Sequence, residues 1–204
     1  METKELILKE SLDMFLSHGF KSVTMDEIAN KMGMSKKTLY THYKNKSELV
    51  AATSLHMCDH VCDGVNHIAT NDDRNPIEDL YEIKAYVMRE LKGDNSSPIC
   101  QLQKYYPETH KLVHKKIYDF MDNCIYRNVE RGLELGLYRD NINKTFVARM
   151  YFIGIQGIKD LSLFPVDQFP QDKLYDQYLE YHLRGIVTPA GRKILNQLTQ
   201  TNHE

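Results

Sequence analysis

The sequence predicts an all-α fold: an N-terminal three-helix unit of helix-turn-helix type, then a larger C-terminal helical bundle. Three observations predict it. Apolar residues recur three and four apart through most of the chain. No segment shows the period-two alternation of a half-buried strand. Helix starts and stops also fall where short helices need them, with Thr24, Ser35 and Asn45 as N-caps and Gly19, Gly33 and Gly136 as stops.

The first helix is expected over Thr3–Ser17, with Leu6, Ile7 and Phe15 turned inward together with the Leu12, Met14 and Leu16 set. Gly19 stops it and Phe20 turns back into the core. Thr24 with Glu27 has capping-box spacing, and Met25, Ile28, Ala29 and Met32 form an apolar stripe. Ser35 then caps a short helix, Lys36–Tyr43. Leu39 and Tyr43 face the core, leaving Lys36, Lys37, Thr38, Tyr40, Thr41 and His42 largely outside. Asn45 with Glu48 opens a long helix from Lys46 to about Thr70. A polar loop over 71–76 leads to a helix over Pro76–Leu91, and a turn over 93–98 to a short helix, Pro98–Tyr106. Further helices are expected over Glu108–Leu135, Phe146–Leu163, Asp172–Val187 and Pro189–Leu198. The domain boundary is expected at residue 48, giving 1–48 and 49–204.

Charge separates the first part from the rest. Lys31, Lys36, Lys37, Lys44 and Lys46 fall in a segment without Asp or Glu, on a chain of formal net charge -2. A solvated helical hairpin would account for a basic patch alone. Joined to the turn chemistry and caps, the patch points to double-stranded DNA: lysines meet phosphates, while hydroxyls and rings reach base edges or the thymine methyl group. The expected DNA-binding residues are Thr24, Ser35, Lys36, Lys37, Thr38, Tyr40, Thr41, His42, Lys44 and Lys46. Lys46, at the start of the long helix, is expected on a phosphate, and Thr38 and Tyr40 in the groove.

Residues 3–49 resemble the DNA-binding domain of the TetR family of bacterial transcriptional regulators. The resemblance rests on His18-Gly19-Phe20, on Ser22 to Ala29, on Met32-Gly33-Met34-Ser35 and on Thr38 to Lys46, in that order. Lys37 departs from the pattern, because many members carry a small residue or proline there. The resemblance implies a homodimer on a palindromic operator, released when a small-molecule effector changes the separation of the recognition helices. An activator or a ligand-independent repressor is the alternative within regulation, and a helical enzyme the alternative outside it.

The remainder narrows the function by its chemistry. The hydrophobic fraction is 42%, ample for a core, yet no run of about 18 apolar residues would span a membrane. The N-terminal segment carries acids within its apolar pattern and is not a signal peptide, so a cytoplasmic protein with reduced cysteines is expected. No nucleophile elbow, phosphate loop or metalloprotease motif is present, so neither catalytic residues nor cofactors are expected. His56 and His60 share one helix face and Cys58 and Cys62 a nearly opposite one. A metal site would then need Cys100, His110 or His114 from other helices, and no metal is expected. Gln101, Tyr105, Tyr106, His110, Tyr151 and Gln156 are the candidates for an apolar effector pocket with polar anchors. The segments 146–163 and 174–187 are apolar nearly all round, which suggests a four-helix interface between two copies.

Overall fold

A computed structural model describes residues 3–71, 73–91 and 96–201, without the side chains of 96–100 and 201. Among these residues the elements are α1 (Thr3–His18), α2 (Met25–Lys31), α3 (Lys36–His42), α4 (Lys46–Ala69), α5 (Pro76–Glu90), α6 (Ser96–Tyr105), α7 (Pro107–Glu134), α8 (Lys144–Gly157), α9 (Gln171–Arg184) and α10 (Pro189–Thr201). None of the helices is long and apolar enough to cross a membrane among the described residues. The turn expected over 93–98 falls largely outside the described residues, and α6 already begins at Ser96.

The chain packs as two compact units, Met1–Val61 with Asn95–Ile117, and Cys62–Asp94 with Tyr118–Glu204. This division differs from a boundary at residue 48. Leu102 is buried in the core of the first unit, with Tyr106 and Val113 packed against it, so α6 and the start of α7 join that unit. An apolar stripe shows that a helix has a face to bury, but it does not name the core that receives it.

In the first unit Ile7, Ser11 and Phe15 lie four apart on α1 and are fully buried. Leu6, expected inside, is exposed, because its neighbour Ile7 takes the inward direction. Gly19 has φ 84°, a conformation that favours glycine, and the turn returns Phe20 to stack on Phe15 with ring centroids 5.1 Å apart. Ile28 of α2 and Leu39 of α3 complete the contact between the two helices of the turn. Gly33, with φ 63°, lies between them.

The second unit is built on Ile77 and Leu80 of α5, Ile125 and Val129 of α7, and inward residues of α8, α9 and α10. Asp79 is almost wholly buried and faces Arg131 at 2.7 Å and Arg74 at 3.6 Å. Burial raises its carboxyl pKa, and the two guanidinium groups oppose that shift. Tyr138 is buried against Gly132, where a Cβ would strike the ring, and its hydroxyl donates to Asn128 Oδ1. A single antiparallel bridge joins Tyr138 to Val187 and does not extend into a strand among the described residues.

The helix expected to reach Leu163 ends at Gly157. Asp160 accepts hydrogen bonds from the Ser162 N–H and hydroxyl, a local pattern that competes with helix. Before that point α8 has two unlike faces. Val147, Ala148, Tyr151 and Phe152 are buried, whereas Phe146 is 62% exposed, Met150 43% and Ile153 58%. In the single chain only one side of this helix is covered. Gly154 lets the Tyr178 ring of α9 lie against α8, and the Tyr178 hydroxyl lies 3.0 Å from both Met150 O and Tyr151 O.

Candidate nucleic-acid interface

The turn between α2 and α3 is fixed by side-chain caps at both of its helices. Thr24 N–H donates to Glu27 Oε2 at 2.7 Å, and Glu27 N–H donates to Thr24 Oγ1 at 3.2 Å. The Thr24 N–H and the Thr24 hydroxyl, which donates to the same Oε2 at 2.9 Å, lower the Glu27 carboxyl pKa. Ser35 Oγ accepts the Thr38 N–H at 3.0 Å and lies 2.7 Å from Thr38 Oγ1. Thr41 Oγ1 donates to Thr38 O at 2.6 Å. Three hydroxyls of the expected DNA-binding set therefore also hold the fold of α3. Their remaining lone pairs can still accept from a ligand, while the Thr41 hydrogen is already given to Thr38 O.

The outer face of α3 exposes Lys36, Lys37, Thr38, Tyr40 and Thr41, with His42 half-buried. Lys36 Nζ lies 2.7 Å and 2.9 Å from the two carboxylate oxygens of Asp26 on α2. That partner raises the Lys36 pKa. Asp26 was not among the expected site residues, although it lies ten positions before Lys36 across a tight turn. Lys44 is exposed, and its N–H donates to Glu48 Oε2, while Glu48 N–H donates to Asn45 Oδ1 at 2.9 Å.

Lys46 is half-buried rather than free on the surface. Its Nζ donates to Lys21 O at 3.0 Å, and burial lowers its pKa. An ammonium has three donors, so this bond leaves two for a phosphate. Lys21 was missed from the sequence because it lies outside the basic island, in the turn between α1 and α2.

The six pocket candidates fall in two groups. Gln101, Tyr105, Tyr106 and His110 belong to the first unit, and Tyr151 and Gln156 to the second. Gln101 Oε1 accepts the Lys21 N–H at 3.1 Å, and Tyr106 packs edge-on to Phe20. Tyr105 is exposed, with the Lys21 and Lys104 ammonium groups 5.3 Å and 5.5 Å from its ring centroid. His110 is half-buried beside His114, and burial lowers its pKa, helped by the His114 charge. Tyr151 is buried, with His182 and Tyr178 rings 5.1 Å and 6.0 Å away, and Gln156 is half-buried. His56 and His60 are exposed and Cys58 is buried. The Cys100 side chain lies outside the described residues.

A capped helix-turn-helix whose second helix presents lysines, hydroxyls and a tyrosine to solvent defines a DNA-binding transcriptional regulator. Residues 7–53 match the family model of the bacterial regulatory proteins of the tetR family. That match makes the N-terminal unit a DNA-binding domain of the TetR type. IcaR of Staphylococcus epidermidis, the negative transcriptional regulator of the biofilm operon icaADBC, is 25% identical over 173 residues, which cover 69% of this chain and 91% of IcaR. The structure of SmeT, repressor of the Stenotrophomonas maltophilia multidrug efflux pump SmeDEF, superposes with a TM-score of 0.66 at 22% identity, covering 93% of this chain and 92% of SmeT. A SmeT–triclosan complex matches with a TM-score of 0.61 at 17% identity over 92% of each chain.

Proposed function

We propose that the chain is a ligand-responsive repressor that binds a palindromic operator as a homodimer and leaves it when a small molecule binds. The observation that carries the DNA half is the outward row of Lys36, Lys37, Tyr40 and Thr41 on a helix locked by Ser35 and Thr38. Thr24, Ser35, Lys44 and Lys46 flank that row and suit phosphate contacts, with His42 at its end. The dimer is supported by the exposed apolar row Phe146, Met150 and Ile153 of α8, and by Tyr181 of α9, which is 78% exposed. A row of this kind on a helix suits a second copy better than water. Repression is supported by the description of IcaR as a negative regulator and SmeT as a repressor. A small-molecule effector is supported by the triclosan complex of SmeT. Gln101, Tyr105, Tyr106, His110, Tyr151 and Gln156 remain the candidates to meet the effector, and its class is left to a screen.

Capture of bound genomic fragments by the purified chain tests the reading. The expected result is a recurring palindrome, bound less tightly as salt rises because phosphate neutralisation releases counterions. Recovery of fragments without a common palindrome overturns it. For the effector, a compound panel is screened by thermal melting, since a ligand that prefers the folded protein raises its melting point. Compounds that do so are then measured with and without operator. Binding is reciprocal, so a releasing compound must bind the operator-bound protein more weakly. Equal affinity in both states leaves a repressor without an effector.

A further inference from the structure

We propose that Gln101 of α6 is a positioning residue for DNA binding: it holds Lys21, and Lys21 aims the Lys46 ammonium at a phosphate. The inference rests on the reading of this unit as a DNA binder and names how one of its contacts is set.

Lys21 sits in the turn between α1 and α2 and is gripped from both sides. Its N–H donates to Gln101 Oε1 at 3.1 Å. Its carbonyl accepts from Lys46 Nζ at 3.0 Å. Its ammonium lies 5.3 Å from the centroid of the Tyr105 ring, one helical turn beyond Gln101 on the same helix. A single residue thus links the first residue of α4 to two residues of α6, all within the first compact unit.

Two further facts make the contact specific. A Cβ built on Gly19 would stand 2.6 Å from Gln101 Nε2 and 2.7 Å from Oε1, so the carboxamide approaches the turn as closely as a glycine allows. Lys46 is half-buried, and burial lowers its pKa, so its head is not a freely rotating surface charge. A long lysine side chain loses rotamer freedom when it is fixed on a phosphate. Here the Lys21 carbonyl fixes one N–H of the ammonium beforehand and leaves two donors for the phosphate. If the Lys21 backbone shifts, that preorganisation is lost, and Gln101 is what holds the backbone.

The test uses the full chain and a fluorescent mixed-sequence duplex, with anisotropy read across a salt series. Lys46→Met is expected to weaken binding about tenfold and to flatten the salt dependence by about one phosphate. Gln101→Met, which keeps the volume and removes the acceptor, is expected to weaken binding roughly three- to tenfold with the same flattening. The double variant is expected to bind little worse than Lys46→Met, because the two residues act on one contact. Losses that multiply, with the salt slope unchanged in Gln101→Met, overturn the proposal. Gln101→Glu keeps an acceptor for Lys21 N–H, so Lys46→Met in that background should still cost its full wild-type factor. A much smaller cost there also overturns it, and this arm serves if Gln101→Met fails to fold. A wild-type chain that binds no duplex at all would instead sink the DNA-binding reading itself.

Discussion

The two short helices at the turn and the α8 helix both leave large side chains in water, but of opposite kinds. On α3 the exposed set is Lys36, Lys37, Thr38, Tyr40 and Thr41 over a single fully buried Leu39. On α8 the exposed large apolar residues are Phe146, Met150 and Ile153, with Thr145 and Arg149 exposed among them, over a buried row of Val147, Ala148, Tyr151 and Phe152. An exposed lysine is already well solvated and gains a partner only from an anion that releases counterions. An exposed Phe or Ile gains from any surface that excludes water. The same amphipathic logic supports the proposal that the first face meets nucleic acid and the second meets another copy of the chain. It also divides what mutations should do: charges on α3 set affinity, and charges on α8 set assembly or folding.

The largest effect comes from the wrong side of α8. Ile155 is partly buried and packs against two clusters of the second unit, whereas Ile153 points outward. Ile155→Glu places an unpaired charge in that packing, costing several kcal/mol, and should unfold the unit as read by circular dichroism. Ile153→Glu should leave helix content intact and convert the proposed dimer to monomer in sedimentation velocity. A monomeric wild type, or a dimeric Ile153→Glu, would break the contrast between the two helix faces.

A second effect is confined to the second unit. Burial lowers the His182 pKa to about 4 from an ordinary 6.5, and its Nε2 has no hydrogen-bond partner among the described residues. The rings of Tyr151 and Tyr178 face it. The unfolded chain therefore takes up a proton near pH 6.5 and the folded chain only near 4. Stability is fully present above the higher value and falls as pH drops between the two, by up to roughly 3 kcal/mol. Melting temperatures measured across that window should fall steeply for the wild type and less for His182→Gln. Parallel curves for the two proteins would show that another group carries the acid sensitivity.

Within the DNA-binding face the effects are smaller and differ in kind. Lys46→Ala should weaken binding to all sequences about equally, by roughly tenfold, because a phosphate carries no sequence information. Tyr40→Ala should change which sequences are preferred, with a cost of about 1–3 kcal/mol at one base position. Selection from a randomised duplex pool with each variant separates the two. A preference altered by Lys46→Ala and untouched by Tyr40→Ala would mean that the docking is different.

The caps of the turn were legible because they are local: Thr24, Glu27, Ser35 and Thr38 meet across three residues, within the reach of a sequence pattern. Leu39 and Tyr43 were legible for the same reason, as inward residues of one short helix. The partners of Lys21 were not, because Gln101 lies 80 residues away and Lys46 lies 25 away. Gln101 stands among the pocket candidates, and its bond to Lys21 was hidden because a polar side chain among aromatics has no address in sequence. The end of α8 was missed because apolar residues continue past Gly157, while the Asp160–Ser162 hydrogen bonds that form the turn need only two polar residues.

The smallest expected effect concerns Asp26, the only carboxylate seen against the α3 lysines among the described residues. Its two oxygens hold Lys36 Nζ, and both side chains are more than half exposed. An exposed pair of this kind contributes little to stability, because water screens it and two long-range freedoms are lost in making it. Its consequence for DNA is larger than its consequence for folding. Close to a phosphate, Lys36 must exchange Asp26 for the backbone, and the freed carboxylate would stand near negative charge. Asp26→Asn removes that competition and should tighten binding to any duplex by roughly two- to fivefold, with a steeper salt dependence. The melting temperature should hardly move. The duplex anisotropy assay reads the first and calorimetry the second. Unchanged affinity in Asp26→Asn, together with a loss in Lys36→Ala, would mean that Lys36 reaches DNA without leaving its partner. The pair would then be part of the reading face, and α2 would contribute to it through Asp26.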